Sequence, residues 1–257
     1  MNETLRKYIV TYPSDIKTNQ SHPFPCVQMI YRISESGMLQ RIPSYSSQNR
    51  NIMGLSDSTG LKNCDPDRLC RDVVTEYMRR GYAGIVLNIE LENTDLDKLE
   101  RICSYLSQKK IIYFLPVELA QISADAKIIV PSSISGGSIS QMLKMLTDKY
   151  SPSRICMELV RTCSDFEMPS YKPDGTAISA DALNELMVTH DAQSFFSSEL
   201  GCKYFTYRQD GNAHFVLYDD SEMASYKIRL AQTAGFYGVF MVYSQWSDSL
   251  NIILNQN

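Results

Sequence analysis

Residues 80–90 read RGYAGIVLNIE. A glycine directly after a basic residue is typical of the point where a helix ends. Residues 83–89 are apolar apart from Asn88, as expected of a strand that is buried on both faces of a parallel sheet. Because side chains alternate along a strand, Val86, Asn88 and Glu90 share one face. This segment therefore predicts a helix end, a tight turn and a buried strand that leads into a carboxylate.

The same order of helix, turn and strand continues on both sides of this segment. Upstream, Asp65 is placed to cap a helix that has Pro66 in its first turn and that Gly81 ends. Downstream, Thr94 is placed to cap a second helix, which precedes the strand-like run 111–115. Short β-rich runs that alternate with amphipathic helices predict βα units around a parallel sheet.

Strand-like runs recur along most of the chain, at 27–33, 51–55, 83–89, 111–115, 127–130, 155–160 and 238–243. A chain of 257 residues fits one TIM-type (β/α)8 barrel, which typically has about 250 residues. The link between residues 12 and 27 is polar and too short for a full helix. The predicted fold class is therefore α/β, a (β/α)8 barrel that is abbreviated at its N-terminus.

The alternation breaks at about 164–220. Residues 179–187 predict a short helix, and Asp210-Gly211 lies between two strand-like runs, a strong hairpin pattern. We therefore expect a small α+β insertion before the last βα unit. The whole chain, 1–257, is predicted to form a single barrel domain that carries this insertion.

Composition excludes several classes of protein. The chain is 44% hydrophobic and 21% charged, which excludes a disordered chain, and its net charge of −4 gives no basic surface for nucleic acid. No apolar run approaches the roughly 20 residues that span a bilayer, and Met1 leads into no signal-peptide core. Neither a nucleic acid nor a membrane is therefore expected as a partner.

Cysteine and histidine patterns give no metal site. The seven cysteines are scattered and include no CxxC pair, so buried free thiols in a reducing compartment are expected. The three histidines, His22, His190 and His214, are dispersed, and His214 is interpreted as a structural residue of the hairpin. No metal and no cofactor are predicted.

Several segments, in the same order, resemble glycoside hydrolase family 18, especially its spore-germination and cortex-lytic branch. Residues 83–90 read AxxVxNxE where the family's fourth-strand signature is DxxDxDxE. Residues 28–39 (QMIYRISESGML) resemble an early strand and its turn, and residues 235–239 (GFYGV) resemble the start of the last strand. The branch's inserted hairpin is matched by Tyr207, Asp210-Gly211, His214, Val216 and Asp219. The resemblance covers residues 27–257.

The resemblance implies a mechanism in which the N-acetyl carbonyl of the sugar attacks the anomeric carbon, so that one protein acid suffices. Glu90 would be that acid. Asn88 stands where the family has the carboxylate that orients the acetamido group, and Val86 replaces a further carboxylate. Ser132-Ser133 replace the family's Tyr-Asp pair on the sixth strand. An amide cannot stabilise a developing cation by charge, so hydrolysis is expected to be weak or lost.

Six further residues are predicted to contact the glycan: Tyr31, Glu118, Ser132, Asp165, Tyr243 and Trp246. Packing is the alternative for Tyr243 and Trp246. An ion pair is the alternative for Asp165 and its neighbour Arg161.

Two other carboxylate interpretations stay open. Glu90 is alternatively an ordinary strand-end carboxylate. Glu158 is a candidate partner for Glu90 in the paired-carboxylate mechanism of another glycosidase clan, but it lies early in its predicted strand.

The sequence leaves two functional classes open. The chain is either a slow glycosidase that acts on an N-acetylglucosamine-containing glycan, such as peptidoglycan or a chitin-like polymer, or a catalytically inactive barrel that binds glycan or protein in spore or cell-wall biology. Retention of Glu90 favours the enzyme, whereas Val86, Asn88 and Ser132 favour the binding module. A scaffold without sugar affinity is the third alternative. The expected location is cytoplasmic or spore-associated.

Overall fold

The structure is a computed structural model that describes residues 5–15, 24–42, 50–57, 60–133, 137–169, 172 and 175–255. Its strands are, in chain order, β1 (Arg6–Thr11), β2 (Cys26–Ile33), β3 (Leu39–Arg41), β4 (Ile52–Asp57), β5 (Gly84–Ile89), β6 (Tyr113–Pro116), β7 (Lys127–Pro131), β8 (Ile155–Glu158), β9 (Cys163–Met168), β10 (Thr176–Ala177), β11 (Phe195–Ser197), β12 (Cys202–Gln209), β13 (Asn212–Tyr218) and β14 (Gly238–Val242). Its helices are α1 (Pro66–Arg80), α2 (Leu96–Gln108), α3 (Ile139–Lys149), α4 (Ala180–Thr189), α5 (Ser221–Thr233), α6 (Tyr243–Trp246) and α7 (Leu250–Asn255).

Eight parallel strands form a closed barrel. They follow one another in the order β1, β2, β4, β5, β6, β7, β8 and β14, and β14 pairs with β1 to close the ring. The short strand β3 pairs with β2 in the antiparallel direction and stands outside the ring. Helices lie between the strands along most of the chain, so the predicted (β/α)8 fold is confirmed. β1 leads to β2 across residues 12–25, of which 16–23 lie outside the described residues.

The chain divides into two compact units. The barrel unit consists of Met1–Val130, Pro152–Glu158 and Gly235–Ser244. The second unit consists of Pro131–Ser151, Leu159–Ala234 and Gln245–Asn257.

Alternate side chains of the barrel strands enter two separate cores. The inner core fills the ring with residues that include Tyr8, Val86, Phe114 and Phe240. The Phe240 ring lies 5.0 Å from the Tyr8 ring and 5.3 Å from the Phe114 ring, both measured between centroids. The outer core packs the other face of the strands against α1 and α2, through residues such as Leu55, Leu69, Leu87, Leu99 and Leu115. This alternation decides which strand-end side chains continue the inner face.

Helix α1, which precedes residues 81–90, begins and ends where its sequence predicts. Asp65 accepts hydrogen bonds from the backbone N–H groups of Asp67 and Arg68, and Pro66 is the first residue of α1. Gly81 closes the helix with a φ of 66°, in the left-handed region that glycine adopts without steric cost. A turn and then β5 follow directly.

The cap of α2 lies one residue later than predicted. The Asp95 carboxylate accepts a hydrogen bond from the Lys98 N–H, so Asp95 rather than Thr94 is the N-cap residue. The Thr94 hydroxyl instead donates to the backbone carbonyl of Glu90. Both residue types cap helices well, so the sequence pattern does not separate them.

The second unit contains an antiparallel sheet in the strand order β10, β9, β13, β12 and β11. Asp210 and Gly211 turn between β12 and β13 with positive φ values of 52° and 85°, as the hairpin pattern predicts. Helix α4 covers one face of the sheet and packs against Phe205, Tyr207 and Val216.

All seven cysteines are free, as expected, and five of them are buried. Burial raises the pKa of the Cys103 thiol to about 12 and that of Cys70 to about 11, so both remain protonated at neutral pH. This is the behaviour of packing residues rather than of nucleophiles. Among the described residues, no helix has the length and apolar character that crossing a membrane requires.

Candidate functional site

Glu90 directly follows β5, and its side chain is exposed. Val86 belongs to the inner core, so the alternation along β5 puts Asn88 and Glu90 on the inner face of the same strand. Asn88 is also exposed, which shows that the inner core ends below it. Active sites of (β/α)8 barrels lie at the C-terminal ends of the strands, which is where these two residues stand.

The backbone around Glu90 extends the strand geometry. Glu90 has φ −84° and ψ 132°, and the short 3₁₀ turn Leu91–Asn93 begins only after it. The Thr94 hydroxyl donates to the Glu90 carbonyl and so fixes this backbone from the next turn. Within the described residues, the Glu90 carboxylate makes no hydrogen bond and no ion pair. It is therefore available to a ligand.

Glu158 is a second carboxylate at this end of the barrel. Cys156 lies in the inner core, so alternation along β8 puts Glu158 on the inner face as well. The interpretation of Glu158 as an early strand residue is wrong, because β8 ends at Glu158 instead of reaching residue 160. Val160 donates its N–H to the Ser132 hydroxyl, 3.1 Å away.

Burial raises the pKa of the half-buried Glu158 carboxyl above its ordinary value. Burial also raises the pKa of Tyr12, and the negative charge of Glu158 adds to that effect. Tyr12 follows β1 directly, and 41% of its surface is exposed. Tyr12 is not among the site residues predicted from the sequence, although the spacing of Tyr8, Val10 and Tyr12 already indicates one face of a strand.

The Glu158→Gln variant is expected to be more stable than the parent at neutral pH. The folded state raises the pKa of Glu158, so it binds a proton more tightly than the unfolded state, and stability falls as pH rises from about 4.5 through the folded pKa. Removing the titrating group removes this loss. Thermal unfolding at several pH values would show an advantage of the variant at pH 7 that disappears below about pH 4. An advantage that does not change with pH would contradict this prediction.

Two of the predicted glycan contacts also follow barrel strands. Glu118 is exposed in the short 3₁₀ turn Val117–Leu119 after β6, and the half-buried Tyr243 follows β14. Their position at strand C-terminal ends is compatible with a glycan contact, which stays a prediction for both.

Tyr31 does not reach this site, contrary to its prediction. The pairing of β2 with β4 shifts register between Gln28 and Tyr31, and this irregularity carries Tyr31 into the outer core. Only 1% of its surface is exposed, and its hydroxyl lies 3.4 Å from the hydroxyl of Tyr82. Tyr31 therefore packs beneath the helices and has no surface for a sugar.

Two predicted contacts in the second unit are buried. Ser132 is 1% exposed, and its hydroxyl accepts the Val160 N–H. Trp246 is 0% exposed, and its indole N–H donates to the Leu159 carbonyl at 2.8 Å. These contacts support the packing alternative for Trp246, and neither side chain presents a surface to a glycan.

Asp165 and Arg161 each have a polar partner, but they do not contact one another. The Arg161 guanidinium lies 2.8 Å from the Asp248 carboxylate. Asp165 lies 3.1 Å from the His214 ring nitrogen Nδ1 and accepts a hydrogen bond from the Tyr207 hydroxyl at 2.7 Å. The His214 ring stacks on Tyr207, which agrees with a structural role for His214 in the hairpin. His22 lies outside the described residues.

The described part of the chain contains no group of three or more His, Cys, Asp or Glu side chains that could hold a metal ion. The barrel end carries carboxyl, amide and phenol groups, on Glu90 and Glu158, Asn88, and Tyr12. Its two carboxyl groups have different surroundings, because that of Glu90 is exposed and that of Glu158 is half-buried.

Comparison with known proteins identifies the fold. No protein-family profile matches the chain, and no curated protein sequence matches it significantly. Three similar solved structures are the spore cortex-lytic enzyme SleL of Bacillus megaterium, a chitinase of Chromobacterium violaceum and a GH18 chitinase of Cycas revoluta in complex with (GlcNAc)3.

The three structures are distant in sequence. SleL is 14% identical with a TM-score of 0.63, and the match covers 93% of this chain and 71% of SleL. The Chromobacterium enzyme is 13% identical with a TM-score of 0.64 and coverages of 97% and 99%. The Cycas enzyme is 12% identical with a TM-score of 0.68, and 97% of each chain is covered. At this identity the likeness establishes a shared barrel fold, one that occurs in glycan hydrolases.

Proposed function

We propose that this chain recognises an N-acetylglucosamine-containing glycan at the C-terminal end of its barrel, and that hydrolysis through Glu90 is weak or lost. The observation that carries the proposal is the exposed Glu90 carboxylate, which has no partner among the described residues and stands on the inner face just after β5. The fold adds support, because a protein with a similar barrel is a chitinase in complex with (GlcNAc)3.

The proposed reaction needs one protein acid. The acetamido oxygen of the sugar attacks its own anomeric carbon, the glycosidic bond breaks, and Glu90 donates its proton to the departing oxygen. Water then opens the cyclic intermediate while Glu90 takes a proton back. Asn88 can hydrogen-bond the acetamido group, but it carries no charge to stabilise the cationic intermediate. Glu158, on the inner face at the end of β8, is a second carboxyl group that can hydrogen-bond the glycan.

A catalytically inactive barrel is the second candidate function. The specific observation that favours it is the pair Val86 and Asn88, which puts an apolar and a neutral side chain on the inner face where the resemblance requires carboxylates. Such a chain would bind glycan, or a protein partner in spore or cell-wall biology, without turnover.

Binding of chitotriose, (GlcNAc)3, by isothermal titration calorimetry tests the proposal. The Asn88→Ala variant is expected to bind chitotriose about tenfold more weakly than the parent, because it loses a hydrogen bond to the sugar. Gln108→Ala is the matched control, since it removes another exposed amide, at the end of α2. Absence of chitotriose binding by the parent, or equal loss in both variants, would overturn glycan recognition at this site.

A further inference from the structure

The antiparallel sheet of the second unit contains a cavity of about 300 Å³. Its lining includes residues of β9, the start of β13 and residues that precede or begin β10. Thr176 pairs with Asp165 across the strands, and His214 pairs with Glu167. Directly paired residues share a face of the sheet, and so do residues two apart on one strand. Asp165, Glu167, Asn212 and Thr176 therefore form one polar wall.

The polar wall presents a preformed pair of planar groups. The Asn212 side-chain amide donates to Glu167 Oε1 at 2.5 Å, and both side chains are exposed. Within the described residues, Glu167 Oε2 and the Asn212 carbonyl oxygen have no hydrogen-bond partner. The pair thus offers two acceptors and a remaining N–H donor side by side, an arrangement that suits adjacent hydroxyl groups of a ligand.

Residues around the polar wall make the cavity partly apolar and rigid. Phe166, Pro169 and the half-exposed Met168 also line it. Gly175 has a φ of 66°, and an added Cβ there would lie 2.8 Å from the Asp165 carbonyl oxygen and 3.0 Å from the Phe166 ring. Only glycine permits this close approach, so Gly175 lies tightly against β9.

Asp165 anchors the base of the polar wall. Its carboxylate binds Tyr207 and His214, and the Tyr207 ring lies 4.5 Å from the His190 ring, measured between centroids. Groups held in this way lose little conformational entropy when a ligand binds.

From these observations we propose that the cavity binds a single pyranose unit of a glycan. This inference rests on the proposed function, because the ligand is the same N-acetylglucosamine-containing polymer. The C–H face of the ring packs on Pro169, which shares the face of Glu167, and adjacent hydroxyls bind Glu167 and Asn212. A volume of about 300 Å³ is at the lower end for small-molecule sites and fits one sugar ring.

Amide-resolved NMR of the full chain during a chitotriose titration tests this site. Amides of Asp165, Glu167 and Asn212 are expected to shift in the parent protein. In the Asn212→Ala variant, the apparent Kd that these amides report should rise about tenfold, because an exposed amide that binds a hydroxyl is removed. Thr206→Ala is the control, since Thr206 pairs with Phe215 on the opposite face of the sheet. The control is expected to keep the parent Kd.

The same titration separates this site from the barrel. Shifts of Asn88 and Glu90 without shifts around Asn212 would overturn the cavity site and leave the proposed function standing. A different result would support the cavity and contradict the proposed function: amides around Asn212 shift, Asn212→Ala weakens the binding that they report, and the barrel amides do not shift. If no amide shifts at either place, both the cavity site and the proposed function are contradicted. If Thr206→Ala weakens binding as much as Asn212→Ala does, the cavity site alone is contradicted.

Discussion

The Asn88→Asp variant is expected to hydrolyse a chromogenic chitobioside about a hundredfold faster than the parent. A carboxylate at residue 88 would stand two residues before Glu90 on the same inner face and would place negative charge beside the cationic intermediate. Removing one such electrostatic group from an active site costs about 10²–10³ in rate, so restoring it is expected to gain a similar factor. Asn88 is exposed, so the charge enters without a large burial cost.

The gain must depend on Glu90. The double variant Asn88→Asp with Glu90→Gln is expected to lose about 10²–10⁴ of the rate, because glutamine cannot donate the proton that the departing oxygen needs. Glu92→Gln is the matched control, since Glu92 is another exposed carboxylate within the turn that follows Glu90. A rate that survives Glu90→Gln, or that Glu92→Gln lowers equally, would contradict Glu90 as the acid. No hydrolysis in the Asn88→Asp variant would favour the inactive binding module.

Most of the barrel is predictable from the sequence because its determinants are local. Asp65, Pro66 and Gly81 fix both ends of α1 through side-chain caps and a left-handed glycine. The run of apolar residues from 83 to 87 predicts a buried strand, and β5 forms there. Neither feature depends on contacts that are distant in sequence.

The candidate site is less predictable because it depends on where strands end and bend. Tyr31 moves to the outer core through a register shift that no local pattern marks. Glu158 becomes a strand-end residue because β8 ends two residues before the strand-like run 155–160 does. Trp246 is buried by tertiary packing around its indole, although a tryptophan after the last strand equally suggests a sugar platform. These are long-range effects, and the sequence of a single chain does not encode them in a readable pattern.

The Lys227→Met variant is expected to lose about 3–5 kcal/mol of unfolding free energy. Lys227 Nζ lies 2.8 Å from Asp219 Oδ2, and the two side chains are 2% and 0% exposed. The same oxygen accepts the Thr162 N–H at 2.9 Å, while Oδ1 has no hydrogen-bond partner among the described residues. Without the ammonium group, a carboxylate would remain buried with one backbone donor, and that loss is a large share of a typical stability of about 5–15 kcal/mol.

Chemical denaturation of the variants distinguishes charge burial from simple loss of packing. Lys203→Met is the control, because Lys203 lies 2.7 Å from Asp220 at the surface and its removal is expected to cost at most about 1 kcal/mol. Adding Asp219→Leu to Lys227→Met is expected to restore much of the lost stability, since no buried charge then remains. If the double variant is instead less stable than either single variant, the cost comes from packing around the end of β13. Such a result would show that the pair does not act through its charges. If charge burial were the cause, an apolar pair of similar volume would replace Lys227 and Asp219 at little cost.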